Sequence, residues 1–168
     1  MQLSWYSTIA LFLVASTASA VAQAPSRINV FKDWAAYSYA DSRGKVCYAA
    51  AQPKDTLPKN VKRDPIFFMI STRPAEKVRD EVSIIIGYPF KPESKVSVAI
   101  GDKSFSLFTK QDGAWVENVS DEAVLVDTLR AGANVVVKGT SARGTNTTDT
   151  YSLAGITAAL DAAAKACQ

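Results

Sequence analysis

Two cysteines constrain this chain more than any other feature. Cys47 stands early, and Cys167 is the residue before last. A bond between them would tie the C-terminus back to the early part of the fold. Any architecture would then have to bring those two regions together. Whether such a bond forms depends on compartment, because oxidising environments preserve disulfides and the cytosol does not.

The N-terminus points to export. Ile9-Ala10-Leu11-Phe12-Leu13-Val14-Ala15 is an apolar stretch of signal-core length, too short to cross a bilayer. Small residues follow, and both Ala18-Ser19-Ala20 and Ala20-Val21-Ala22 fit the small-x-small cleavage rule. Residues 1–24 therefore read as a signal peptide cleaved near 20–24. The alternatives are an N-terminal membrane anchor or a buried segment. Met1–Ser7 departs from the usual pattern in lacking Lys and Arg. No cysteine stands at the cleavage site, which argues against a lipoprotein.

Residues 25–168 then form one domain of ordinary size. Such a domain buries about two-thirds of its unfolded surface. No later segment has the apolar length of a membrane span, so no transmembrane span is expected after signal removal. The net charge of +3 falls wholly on this part, since residues 1–24 carry no charged side chain. That excess is mild, and nucleic acid is not an expected partner.

In an exported chain two cysteines allow one intramolecular pairing, and the Cys47–Cys167 disulfide is the favoured reading. A free thiol, an intermolecular bridge and a metal ligand are the alternatives. With no histidine in the chain, a Cys/His metal site has no basis. Neither a metal nor a cofactor is expected. Closing a loop of about 120 residues would restrict the unfolded chain by nominally ~5 kcal/mol.

The remainder reads as short strands bounded by turn residues. In Lys45–Gln52, Cys47, Ala49 and Ala51 fall on one face and Val46, Tyr48 and Ala50 on the other. Pro65–Thr72 and Glu81–Tyr88 are rich in β-branched and aromatic residues, as in central strands. Lys95–Ile100 and Lys103–Thr109 flank Gly101-Asp102, a hairpin signal. Ala114–Asn118, Asn134–Gly139 and Thr150–Leu153 supply three more strands. Gln52–Asp64, with Pro53 and Pro58, reads as a long loop.

Two helices interrupt the strands. Ser120 can cap the first, which carries Ala123, Val126 and Leu129 inward and ends near Gly132. The second spans about Thr157–Cys167, with Ile156, Leu160, Ala164 and Cys167 on one stripe. The architecture that fits is mainly β: an immunoglobulin-like β-sandwich with a short inserted helix and a C-terminal helix.

Catalytic signals are weak. The lack of histidine removes Ser-His and Cys-His nucleophiles. Ser42-Arg43-Gly44-Lys45 has the S-x-x-K spacing but sits in a turn, where Ser and Lys do not share a helical face. Gly139–Thr145 resembles a phosphate loop until Thr145 stands in the Lys position, and it reads instead as a hairpin connection. The acidic residues do not have calcium-loop spacing. Arg63, Arg73, Lys77 and Arg79 could line an interaction surface for anionic lipids or glycans, against the ordinary reading of solvated loop charges. Trp34, Tyr37, Tyr39 and Tyr48 could form a ligand surface, although core packing is the commoner fate.

Several punctuating residues together resemble a known family. These are Phe31-Lys32-Asp33-Trp34, Val46-Cys47-Tyr48, Thr72-Arg73-Pro74 and Glu81-Val82-Ser83 with Gly87-Tyr88. Ser141-Ala142-Arg143-Gly144-Thr145, Asp149–Gly155 and the terminal cysteine complete the set. In order and spacing they resemble the invasion-associated locus B family of exported proteins from Gram-negative bacteria. The resemblance implies an immunoglobulin-like sandwich in the periplasm or at the envelope, and it carries over no catalytic residues. The expected function is that of an exported, non-enzymatic envelope protein. Its partner would be a protein, a glycan or another envelope component, in host-cell invasion or envelope integrity. Its expected location is periplasmic, with outer-membrane association, secretion and peripheral membrane attachment as variants. The alternative is a periplasmic hydrolase using carboxylates or Ser/Lys without histidine.

Overall fold

Alternating burial along the strands decides how the chain folds, because a pleated strand sends successive side chains to opposite faces. The computed structural model describes residues 24–168. The signal-peptide reading therefore lies, except for Ala24, outside the described residues.

Among the described residues, eleven strands run in chain order. They are β1 (Ser26–Phe31), β2 (Trp34–Asp41), β3 (Gly44–Ala51), β4 (Asp55–Leu57), β5 (Phe67–Arg73) and β6 (Val78–Ile85). After them come β7 (Lys95–Ile100), β8 (Lys103–Lys110), β9 (Gly113–Trp115), β10 (Asn134–Thr140) and β11 (Asn146–Ser152). Helix α1 (Val119–Ala131) separates β9 from β10, and α2 (Ile156–Ala166) closes the chain. The strands form one antiparallel sheet in the order β1-β2-β3-β5-β6-β9-β8-β7-β10-β11-β4.

This sheet curls on itself, so the β1–β3 end faces the β10–β11 end across a shared core. Trp34 is fully buried, and its indole N–H donates to the Ser152 carbonyl at 2.9 Å. Phe68 meets Trp34 and Tyr151 edge-on, with ring centroids 5.9 and 5.6 Å away. Val82, Ile84, Val96, Val98, Leu107, Val135 and Val137 fill the space between the halves. Their burial supplies the main driving force for the fold.

The outcome matches several expectations and corrects others. Cys47, Ala49 and Ala51 are buried as the alternation in β3 predicts. The Lys95–Lys110 hairpin turns at Gly101-Asp102 with Ile100 opposite Lys103. Gln52–Asp64 is not wholly loop, because Asp55–Leu57 pairs with β11 as an edge strand. The strand read as Thr150–Leu153 begins earlier, at Asn146. Helix α1 starts at Val119 after Asn118, so its inward face is Leu125, Val126 and Leu129, and Ala123 is exposed. In α2 the packed stripe is Ile156, Ala159, Leu160 and Ala163.

Ala36, Cys47 and Ala163 are small, which lets α2 lie close against β2 and β3. Cys47 and Cys167 are joined there by a disulfide, with Cα atoms 5.9 Å apart. The C-terminal helix is thus tied to the inner face of an early strand. Gly155 precedes α2 with φ +94°, and a Cβ at this position would overlap the Phe31 carbonyl. Only glycine fits that combination of turn and close approach.

Candidate functional site: the outer face of the first half-sheet

The short turn Ser42-Arg43 sets the register of β2 against β3, placing Tyr37 opposite Tyr48 and Tyr39 opposite Val46. The inner face of these strands is taken by Trp34, Ala36, Cys47 and Ala49, so the tyrosines point outward. Tyr37 and Tyr48 stack with centroids 5.1 Å apart and planes 15° apart. Tyr39 meets Tyr48 edge-on at 6.3 Å. Of Trp34, Tyr37, Tyr39 and Tyr48, for which the sequence offered a core or a surface role, only Trp34 is in the core. The tyrosines lie half-buried on the outer face because the turn register puts them there.

Across the sheet the same row continues from Tyr48 to Ser71 on β5 and Glu81 on β6. The neighbouring row runs Ala35, Ala50, Met69, Ser83, Trp115 and Phe108. Hollows lie on either side of the tyrosine stack, and the small Ala35 and Ala50 side chains line one of them. One hollow, of about 460 Å³, is lined by Tyr39, Val46, Tyr48, Met69, Ser71 and Ser83 with charged residues at its rim. The other, of about 400 Å³, lies against Val30, Ala35, Tyr37, Ala50 and Phe67. Both fall within the size range of small-ligand sites.

The rim is a linear chain of ion pairs running from Glu81 to Asp41. Arg73 donates to both oxygens of Glu81 at 2.9 Å, to Glu76 at 2.9 Å and to the Ser71 hydroxyl at 3.1 Å. Glu76 also pairs with Arg43 at 3.2 Å, and Arg43 with Asp41 at 3.3 Å. The Glu81 carboxylate, with Glu76 beside it, holds the Arg73 guanidinium more firmly protonated than usual. The backbone N–H of Arg43 lowers the Asp41 pKa. Burial raises the Tyr48 phenol above its ordinary value, with Tyr37 and Tyr39 adding to the effect. The other hollow carries a similar ion pair, Lys54 with Asp33.

The four cations proposed from sequence as one interaction surface do not assemble. Arg63 is the clear correction, its side chain being 6% exposed and that of its partner Asp149 0%. It grips both Asp149 oxygens at 2.6 and 2.7 Å and donates twice to the Ile86 carbonyl. Its guanidinium also lies 5.0 Å over the Tyr88 ring, whose hydroxyl shares a 2.6 Å hydrogen bond with Thr147. A buried guanidinium needs such a partner set to offset its lost hydration. Arg73 sits at the groove rim, Lys77 is exposed in the β5–β6 connection with φ +57°, and Arg79 is 82% exposed.

Glu122 on α1 accepts the Val82 amide proton at 2.7 Å, tying the helix to β6. Burial raises its pKa. Ser42 lies in the β2–β3 turn and Lys45 on β3, so they share no helical face, and Gly139–Thr145 spans the β10–β11 hairpin. Among the described residues no helix is long and apolar enough to cross a membrane.

These features define a class: a mainly β, immunoglobulin-like sandwich with one mid-chain helix and a C-terminal helix that a disulfide ties to the sheet. Within it the chain belongs to the Invasion associated locus B (IalB) protein family, whose profile matches residues 34–164. Among solved structures it is similar to the crystal structure of invasion associated protein B from Bartonella henselae. The TM-score is 0.58 at 14% identity, covering 83% of this chain and 98% of that one. At that identity the likeness is one of fold. A sequence comparison with curated proteins gives no match.

Proposed function

We propose that this chain is an exported, non-enzymatic binding module of the Gram-negative envelope. Its signal peptide, residues 1–24, is removed near positions 20–24, and residues 25–168 work as one sandwich domain. The periplasm is its compartment, either free or against the outer membrane. It engages a protein, glycan or other envelope component in invasion or envelope integrity, through the outer face of β2, β3, β5 and β6.

The observation that carries this reading is the tyrosine-lined outer face itself. Aromatic side chains that could have entered the core instead stand on a rigid, disulfide-pinned sheet between two hollows. Half-exposed tyrosines offer a large apolar area with a polar tip, the composition of binding surfaces. Family membership and the disulfide both support export.

The test is a photo-crosslinker placed at Ala50 or Met69, both on the tyrosine face, and expressed with the native leader. Recurrent adducts in the periplasmic or outer-membrane fraction, lost when Tyr48 is replaced by Leu, are the expected outcome. Adducts that persist in Tyr48→Leu, or a protein retained in the cytosol, would sink the proposal.

A further inference from the structure

The geometry points to a neutral, hydroxyl-rich carbohydrate as the ligand of the groove formed by Tyr39, Tyr48, Met69, Ser71 and Ser83; this rests on the binding-module reading above.

Charge comes first. An anionic lipid, an acidic glycan or a nucleic-acid phosphate needs a cation with free donors. Arg73 has four of its N–H donors already engaged by Glu81, Glu76 and Ser71. Arg43 is shared between Asp41 and Glu76. Across the rim the charges of Arg43 and Arg73 are matched by Glu76 and Glu81. An anion would compete with the carboxylates of Asp41, Glu76 and Glu81 for these guanidinium groups and would meet their negative charge at the rim.

Hydrogen-bonding capacity points the same way. A carboxylate offers about four lone-pair sites, so Glu76 and Glu81 keep acceptors beyond those used by the arginines. Ser71 and Ser83 place hydroxyls along the groove, and Ser83 is itself buried. The wall thus favours a ligand that donates many O–H groups. The floor favours one that also has an apolar face to lie on a ring, and Tyr39, Tyr48, Met69 and Val46 supply that surface. A pyranose has both properties.

An extended peptide fits less well. Strand addition uses free backbone N–H and C=O groups on a sheet edge. Here β2, β3, β5 and β6 are paired with one another across the groove, so their backbone groups are spent within the sheet. A peptide lying across the face would leave its own amides to side chains alone.

The experiment uses the full mature protein and calorimetric titration with four probes. They are cellotetraose, the N-acetylglucosamine tetramer, a heparin-derived hexasaccharide and phosphatidylglycerol vesicles. Binding of at least one neutral oligosaccharide is expected, in the micromolar-to-millimolar range of a small exposed site and insensitive to salt between about 0.05 and 0.5 M. Tyr39→Leu and Tyr48→Leu should each weaken it by about tenfold or more. Mass spectrometry of the disulfide and thermal melts would verify that both variants fold. Glu81→Gln, which loosens the guanidinium, should add salt-sensitive heparin binding that the wild type lacks.

Failure of both neutral sugars overturns the carbohydrate assignment, as does sugar binding unaffected by either tyrosine change. Salt-sensitive capture of heparin or vesicles by the wild type also overturns it. The broader reading fails separately. If sugars do not bind but crosslinks at Met69 still depend on Tyr48, the surface binds something other than carbohydrate. If those crosslinks are missing too, both readings fall.

Discussion

At the scale of single residues, Arg63 and Asp149 are the most consequential pair. They stand 86 positions apart and meet in a pocket shared with Tyr88 and Thr147. Removing one partner leaves the other charge buried without compensation. Arg63→Ala or Asp149→Ala should therefore cost about 3–5 kcal/mol in urea denaturation. A charge-free pair of similar volume, Arg63→Met with Asp149→Leu, should recover much of that loss. If single and double variants lose stability equally, the ion pair is not what clips this segment down.

Glu122 gives a residue-scale prediction with a definite sign. Burial raises its folded pKa above the ordinary 4.5, so the folded state holds the proton more tightly than the unfolded chain does. Stability from this group is present at acid pH and is lost as pH rises from near 4.5 through the raised folded value. Glu122→Gln keeps an acceptor for the Val82 amide and removes the charge beside Glu81 and Asp80. The variant should match wild type near pH ~4 and equal or exceed it near neutrality. Denaturation midpoints that diverge in the opposite direction would contradict the assignment.

None of this pairing was legible from the sequence. Arg63 sits among Lys59, Lys62 and Asp64 in a Pro-containing stretch, which has the look of solvated charge. Its partner belongs to a strand far along the chain, and only the curl of the sheet brings them together. The tyrosine stack was more accessible. A two-residue turn at Ser42-Arg43 makes Asp41 oppose Gly44 and hence Tyr37 oppose Tyr48. Counting back from that turn would have placed three tyrosines on the face opposite Cys47.

At the scale of elements, the strands that sequence revealed are those with one buried face and a firm turn. β3 and the β7–β8 hairpin are examples, because alternation and Gly101-Asp102 agree on one register. β1 went unread because its residues are exposed almost throughout and show no buried period. β2 carries alanines, which have low strand preference, and it is held by the core contacts of Trp34 instead. In α1 the cap position is Asn118, two residues before the expected Ser120, and Leu125 rather than Ala123 packs into the core.

Helix α2 illustrates how one residue sets an element. Gly155 takes a left-handed conformation immediately before the helix and packs against the Phe31 backbone. Gly155→Ala combines a strained φ with a steric overlap and should cost about 2 kcal/mol or more. The loss should appear as faster amide exchange across α2 and β1, which the overlap drives apart, ahead of the central strands. Uniform acceleration over the whole sheet would mean that α2 does not open as a unit.

At the scale of the molecule, one sheet closes on itself and α2 fills the junction at its β1–β3 end. The disulfide acts on that closure. Its loop encloses β4 to β11 and both helices, so breaking it frees most of the chain in the unfolded state. The chain-entropy argument gives an upper figure of about 5 kcal/mol. For a domain of this size that corresponds to a fall of roughly 10 °C or more in Tm. Cys47→Ala with Cys167→Ala tests this without reductant. Replacement of both cysteines removes the crosslink yet keeps the small volume that lets α2 approach Ala36. Protein exported with its native leader should, by non-reducing mass spectrometry, be a monomer about two mass units lighter than the dithiol form. A Tm unchanged in the double variant would show that packing of α2 alone holds the closure. Two alkylatable thiols in the exported protein would show that the staple is not made in its own compartment. If the bond forms and its loss lowers Tm, the groove on the opposite face of β3 inherits that rigidity, because Cys47 and Tyr48 are neighbours on one strand.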